Sequence, residues 1–524
     1  MKRFILQNDL VWFTIFALAI LAFGSIPIWM GRAAQTDELL FRGIYFNEKD
    51  YAVHISMMQA GQLGDWAYQM RFTSEEHSAA YVRIFYLVLG HLSKWFNLDV
   101  ETTFHIARWL FGFAALYYIY QLLRQILPQK NLARAAFLLA VLGEGVGVFQ
   151  FLLGVPLQPI SPIDFWLIDA YVFFSISIFP SFSFNLALLA LSLTLFLDFL
   201  KTQKWIQIFW ICLFAILSQS TNPIAFALVD LAFAGAAITS WWHRKAVDRH
   251  SVLALGVIGI FQIPLLIYNF LILTHDPIWG QFTMQNATLS PPPTFYLWGF
   301  LPFWIFAPYG IFCALRERPP AMVALSVWVI FGFILTYVPV AIQRRFLLGM
   351  TIPLAALAVY GANRILQKVP KLAKRENLVY FSYILLASMS SIYLSLGSTI
   401  FIQTHPADKF YPRELAVAFE WLNEHAAPND YVLADVTTSL LVAQKTKLKV
   451  YVGHEIETLH FQEKTAAMEA YFKGRAPMGW LEQTGVQWVI YGPYEEKNSS
   501  SFAAGPELEL VYENVSTKIY RVKQ

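Results

Sequence analysis

About eleven apolar runs, each near the roughly 20 residues that a helix needs to cross a hydrocarbon core, punctuate this chain. They start near Asp9, Arg108, Leu132, Phe182, Trp205, Pro223, Ser251, Phe295, Ala321, Phe346 and Leu378, and the last ends near Ile400. The pattern predicts a polytopic α-helical membrane protein with about 11 transmembrane helices. The first run follows Lys2 and Arg3, is too long for a signal-peptide core, and gives way to Gly31-Arg32-Ala33-Ala34 without a small-x-small cleavage site. It reads as a retained signal anchor. Arginine and lysine then set the orientation. One set of connections carries Arg124, Lys130 and Arg134; Lys201 and Lys204; Arg244, Lys245 and Arg249; Arg316 and Arg318; and Arg364, Lys368, Lys371, Lys374 and Arg375. The alternate connections, around Gln158 to Ser181, Ser218 to Asn222 and Leu273 to Pro293, carry none. This places the N-terminus in the cytoplasm of a multi-pass cell-membrane protein, with the first loop and the C-terminal segment outside.

Two stretches break the apolar rhythm. The loop from Gly31 to about Ala107 (31–107) is charged and too long for a simple connection, so its length alone marks it as functional. Tyr51, His54, Ile55, Met58 and Leu63 recur at helical spacing behind Asp50, and Val82, Phe85, Tyr86, Leu89, Leu92 and Phe96 form a second apolar face. We read that second stretch as an interfacial amphipathic helix, because a span there would invert every later loop. The chain therefore divides into a membrane part, 1–402, and a soluble outer part, 403–524. In the latter, strand-like Tyr431–Ala434, Lys449–Val452 and Trp488–Tyr491 alternate with helical patterns, and Leu508–Tyr512 with Lys518–Val522 reads as a hairpin, predicting a small α/β sheet.

Composition narrows the partners. The 524 residues are 57% hydrophobic and only 14% charged, and the net charge of +3 is scattered over short loops, which excludes the basic stripe of a nucleic-acid-binding protein. Cys212 and Cys313 both sit in apolar runs, where a thiol packs as a small hydrophobe. There is no Walker loop, G-x-S-x-G or H-E-x-x-H, and Gly143-Glu144-Gly145-Val146-Gly147 lacks the preceding strand that a dinucleotide loop requires.

Ionisable residues at or near membrane depth mark candidate chemistry. Glu48 and Asp50 lie just beyond the first span, where carboxylates either cap a helix or act on substrate. Arg344 and Arg345 form a basic pair at an outer boundary, against the positive-inside bias, and guanidinium forks suit a phosphate; headgroup snorkelling is the other reading. Glu144, Asp164 and Asp169 form a third acidic set, either facing a cavity or capping a loop helix. Arg71, Glu75, Glu76, His77, His105, Arg108, His275 and Asp276 are polar positions in outer loops, with Arg108 at the mouth of a span. Gly453-His454-Glu455 follows a strand, where a functional loop and a plain turn fit equally.

With these residues in hand, the layout resembles the GT-C superfamily of membrane glycosyltransferases, which includes protein O-mannosyltransferases and bacterial aminoarabinose transferases. Glu48-Lys49-Asp50 has the form of that family's acidic loop motif, followed similarly by Tyr51-Ala52, Met57-Met58 and Gly64-Asp65-Trp66. Arg108 opens the next span as an arginine often does there, and Arg344-Arg345-Phe346 to Pro353 is similar to the late basic-aromatic-proline segment. The resemblance implies a GT-C-like fold with a C-terminal extracytoplasmic α/β domain. It implies a polyprenyl-phosphate sugar donor among membrane lipids, a glycan, lipid or protein acceptor, and inversion in a single displacement. Asp50 or Glu48 would be the general base, Arg344 and Arg345 would hold the departing phosphate, and Arg108, Tyr51, Asp164 and His77 would bind substrate. Glu48 and Asp50 are also the expected ligands of any divalent cation, Mg or Mn. The family's proline-rich acceptor loop is replaced by Phe72-Thr73-Ser74-Glu75-Glu76-His77, which leaves the acceptor open. A transporter or flippase of a lipid-linked saccharide would instead place charge near the midplane and show internal repeats. A non-catalytic envelope assembly protein is the third reading.

Overall fold

A computed structural model describes residues 2–154, 161–499 and 502–523 of the chain. Gln158, the start of one of the uncharged connections, lies outside the described residues. Two compact units emerge, Met1–Pro27 with His105–Asn269 and Thr288–Ser398, and Ile28–Phe104 with Phe270–Ala287 and Thr399–Gln524.

The first unit is helical, and helices lie along the apolar runs. Several of those helices are shorter or more broken than the runs. Among the described residues four helices are long and apolar enough to cross a membrane, Asp9–Ala33, Val100–Ile126, Pro180–Thr202 and Arg249–His275. The pair Glu376–Ala387 and Met389–Ile402, bent by 45°, makes a fifth if it is one span. Trp205–Gln219, Pro320–Leu335 and Thr351–Leu366 are apolar but shorter. The run near Phe295 is divided into Pro293–Gly299, Leu301–Trp304 and Ala307–Glu317, with Pro302 and Pro308 each at the start of a new piece. Proline lacks the N–H that would continue the preceding helix, so apolar length alone does not secure one unbroken span. Three cations of one basic connection converge on a single acid: Arg124, Arg134 and Lys130 stand 3.1, 3.1 and 3.5 Å from the Asp9 carboxylate.

The second unit joins sequence segments hundreds of residues apart. Strand β1 (Leu39–Phe41) pairs antiparallel with β2 (Phe410–Pro412), Leu40 opposite Tyr411. Beyond β2 lie β3 (Tyr431–Leu433), β4 (Lys449–Val450), β5 (Trp488–Tyr491), β6 (Leu508–Glu513) and β7 (Lys518–Val522), which form one sheet in the order β4-β3-β5-β7-β6. Strand β3 runs parallel to β4 and β5, whereas β7 is antiparallel to β5 and β6. The helix Arg413–His425 buries Leu415, Ala418, Phe419 and Leu422, a single stripe at spacings of three and four.

In the first loop, helices Glu48–Leu63 and Ile84–Phe96 pack closely. The latter has 13 residues, about 20 Å at 1.5 Å per residue, too few to span a bilayer core. It buries Phe85, Tyr86 and Leu89, while Val88, Trp95 and Phe96 are exposed. Two glycines permit the approach. A Cβ on Gly61 would lie 2.2 Å from the Leu87 carbonyl oxygen, and one on Gly90 would lie 2.0 Å from that of Met58. Backbone cannot yield as a side-chain tip can, so Gly90→Ala should destabilise this unit by about 1–3 kcal/mol or more. Thermal unfolding of the purified protein in detergent checks this, and an unchanged midpoint would mean that the helices separate at no cost.

Candidate functional site

The acidic motif opens the Glu48–Leu63 helix, and its cap is neither of the two carboxylates. Asn47, at a left-handed φ of 54°, caps the helix by accepting from the Asp50 N–H and donates its side-chain amide to Asp50 Oδ2 at 2.6 Å. Asparagine tolerates that backbone conformation better than most residues. Each of the next three residues meets an opposite partner from the far end of the chain. Lys409 Nζ lies 2.7 Å from Glu48 Oε2, Glu455 Oε2 2.8 Å from Lys49 Nζ, and His454 Nε2 3.3 Å from Asp50 Oδ1.

These surroundings set the ionisation of Asp50. Burial pushes its carboxyl up, but the hydrogen bond from His454, the electrostatic influence of His454 and His54, and the Asn47 amide outweigh it and hold the group well below the usual carboxylate range. The side chain as a whole remains 41% exposed. Tyr51 is different. Fully buried, with its ring edge-on to Phe104 at 5.0 Å, it is a packing residue of the second unit. For a divalent cation the fit is poor: Glu48 is committed to Lys409, and no group of three or more His, Cys, Asp or Glu side chains that could hold a metal occurs among the described residues.

His77 serves its own loop. Its Nε2 accepts from the Met70 N–H at 2.9 Å and its Nδ1 donates to the Glu75 carbonyl at 2.8 Å, so both ring nitrogens are engaged by backbone. The Glu75 carboxylate accepts from Lys464 at 2.8 Å and from the Thr73 hydroxyl, which ties the loop to the helix Phe461–Phe472. The segment that stands where a proline-rich loop was absent is thus held by the C-terminal part of the chain.

Of the other sequence candidates, Arg344, Arg345, Asp169, Asp164, Glu144, Arg108 and His105 lie in the first unit. Arg345 Nη1 pairs with Asp169 Oδ2 at 3.2 Å, and Gly349 donates its N–H to the Asp169 carbonyl at 2.8 Å. Arg344 lies over the Trp166 ring, 4.8 Å from its centre, and its Nε has no hydrogen-bond partner among the described residues. Burial, with the neighbouring Arg345 charge, holds the Arg344 guanidinium below its usual range, against the pull of Asp169. Gln343 fixes the short turn carrying both arginines, its side chain accepting from the Ser290 N–H and donating to the Val338 carbonyl. Close by is a cleft of about 380 Å³ lined by Pro293, Tyr296, Leu297, Trp304, Val329, Phe333 and Tyr337 among others. The Tyr296 hydroxyl, bonded to Ser290, interacts electrostatically with Arg344, so the guanidinium lies within electrostatic reach of one residue of the cleft wall.

Arg108 is 2% exposed and spends its donors internally, Nη2 on Ser25 Oγ at 3.0 Å and Nη1 on the Ser177 carbonyl at 3.3 Å. Asp164 is fully buried beside Glu144, and accepts the Gly147 N–H at 3.0 Å. The structure therefore brings Arg344, Arg345 and Asp169 together, and leaves Asp164 and Arg108 enclosed. His454, Lys409 and Glu455 gain importance from the fold. The strand before Gly453-His454-Glu455 gave a signal for two of them, whereas Lys409 carries none.

Solved structures share this architecture. The crystal structure of the oligosaccharyltransferase of Archaeoglobus fulgidus in its apo form matches with a TM-score of 0.53 at 11% identity, covering 92% of this chain and 69% of that one. ArnT from Cupriavidus metallidurans bound to undecaprenyl phosphate matches with a TM-score of 0.52 at 13% identity over 98% of both chains. Both are GT-C superfamily membrane glycosyltransferases. The chain has a GT-C fold. Apo ArnT from the same organism gives a TM-score of 0.51 at 12% identity, again over 98% of both chains. No family model and no curated protein matches the sequence.

Asp164 offers a direct check of these surroundings. Burial pushes its carboxyl up to about 6, with Ser390 and the Gly147 N–H holding it back in part. A raised carboxyl contributes stability below its unfolded value and loses it as pH climbs through the folded one, here between about 4 and about 6. Asp164→Asn should therefore stabilise the protein at pH 8, by on the order of 3 kcal/mol, and change little at pH 4. Thermal unfolding at both pH values tests the sign, and a loss of stability at pH 8 would count against a carboxyl strained by burial.

Proposed function

We propose that the protein is a glycosyltransferase that moves a sugar from a polyprenyl-phosphate donor to a glycan, lipid or protein acceptor on the outer side of the membrane, with inversion. The observation that carries this reading is Arg344, a guanidinium with an unpartnered Nε that interacts electrostatically with Tyr296 of an apolar aromatic cleft, within a GT-C fold. A polyprenyl phosphate is amphiphilic in that same sense: an anion on an apolar chain. Arg344 and Arg345 would take the phosphate through charge-assisted hydrogen bonds, while the cleft takes isoprene units.

Transfer needs an acceptor oxygen made nucleophilic and a leaving phosphate made stable. Asp50 would accept the acceptor's proton as that oxygen attacks the anomeric carbon, and the two arginines would stabilise the charge that develops on the phosphate as the glycosidic bond breaks. One displacement inverts the anomeric carbon. Asp50 suits the first role through its ionised, part-exposed carboxylate, and Glu48 suits it less because Lys409 covers one of its oxygens at 2.7 Å. No divalent cation enters this scheme.

Purified protein in lipid, supplied with radiolabelled undecaprenyl-phosphate mannose, glucose and aminoarabinose, tests the proposal. Asp50→Asn should lower the rate by about 10² to 10⁴ in protein that remains folded, as expected for a lost base, with some loss of unfolding temperature because the carboxylate's pairings are weakened, and Glu48→Gln should lower the rate far less. Arg344→Gln should raise the KM for the donor. Equal turnover by wild type and Asp50→Asn would remove the carboxylate from the mechanism, and turnover limited to flipping of intact donor would replace transferase with transporter.

A further inference from the structure

We infer that His454, contributed by the C-terminal segment, is the positioning residue that orients Asp50 through a single fixed tautomer of its imidazole; this rests on the reading of Asp50 as the base. His454 follows β4 in the turn Gly453–Thr458 and is 3% exposed. Its Nδ1 accepts two backbone N–H groups, from Ile456 at 3.2 Å and Glu457 at 3.3 Å. A nitrogen that accepts carries no hydrogen, so the neutral ring bears its one hydrogen on Nε2. That nitrogen faces Asp50 Oδ1 at 3.3 Å. Asp50 Oδ2 meanwhile accepts from Asn47 at 2.6 Å. Each carboxylate oxygen thus has one donor, which fixes the plane of the group, while the 41% of the side chain still open leaves lone-pair directions for a substrate hydroxyl.

The turn that presents His454 is itself over-determined. Thr458 Oγ1 donates to the Phe72 carbonyl at 2.6 Å and accepts from the Gly453 N–H at 3.1 Å, and the Thr458 N–H closes on the His454 carbonyl at 2.8 Å. Glu457, buried, is held by Arg83 at 2.7 Å and by the Tyr68 hydroxyl at 2.9 Å. Both Arg83 and Tyr68 belong to the first loop, so the loop carrying the acidic motif also grips the turn that supplies the imidazole. Such redundancy exceeds what a surface turn needs, and it is what holding one ring nitrogen against one carboxylate oxygen demands.

Two nearly isosteric replacements separate positioning from mere support of the turn. Asparagine keeps an acceptor where Nδ1 sits but cannot reach Asp50; glutamine reaches Asp50 with an amide N–H but leaves the turn without its acceptor. With the undecaprenyl-phosphate sugar that wild type consumes, His454→Asn should lower kcat about 10- to 100-fold, the scale of a misplaced catalytic group. Donor KM should stay within about twofold, and His454→Gln should retain kcat within about threefold. Adding His454→Asn to Asp50→Asn should cost nothing further. The reverse order, with Gln impaired and Asn intact, or equal activity of both, overturns the assignment. Should wild type consume no donor, the transferase reading falls, and the ring still answers by itself. In protein labelled with ¹⁵N-histidine, the signal missing from His454→Gln should show an Nε2–H tautomer that shifts in Asp50→Asn, and an Nδ1–H tautomer or no shift overturns the inference.

Discussion

Charge brought out of water must find a partner, and in this protein that rule joins the two ends of one unit. Glu48, Lys49 and Asp50 are consecutive, yet their partners Lys409, Glu455 and His454 come from beyond the last apolar run. Lys409 and His454 are both largely buried, so each would be costly alone. The antiparallel β1–β2 pair places Lys409 immediately before its second strand, and the β4 turn places His454 and Glu455. Backbone register thus sets the charge pairing, and the charge pairing fixes the first turn of the motif helix.

The first loop is held in place by glycine as much as by charge. Gly61 and Gly90 let two helices meet backbone to backbone, and the helix so anchored starts at Asn47. The same helix carries Asp50 in its first turn. In the other unit the same logic is applied to arginine: Asp169 restrains Arg345, Trp166 lies under Arg344, and the buried Arg344 Nε has no hydrogen-bond partner among the described residues.

Periodicity made the helices legible. Helices lie along the apolar runs, with non-helical breaks in those near Leu132, Pro223, Phe295 and Phe346. Strands β3, β5, β6 and β7 also fall where β-branched and aromatic residues cluster. Helix length was less legible, since Pro302 and Pro308 interrupt a run whose side chains read as one span. Within the candidate sites, residue type indicated Glu48, Asp50, Arg344 and Arg345. It could not separate them from Asp164, Arg108 and Tyr51, which are just as polar or aromatic in sequence but enclosed in the fold.

By itself, then, the sequence determined the solvent of the chain, the positions of its helices and strands and the short list of ionisable residues, because these follow from the chemistry of neighbouring residues. Tertiary structure alone decided which carboxylate stays ionised and open, which is buried and raised, and which histidine faces which oxygen. Those outcomes depend on contacts between residues as much as 406 positions apart, and local pattern carries no information about a partner brought in from such a distance.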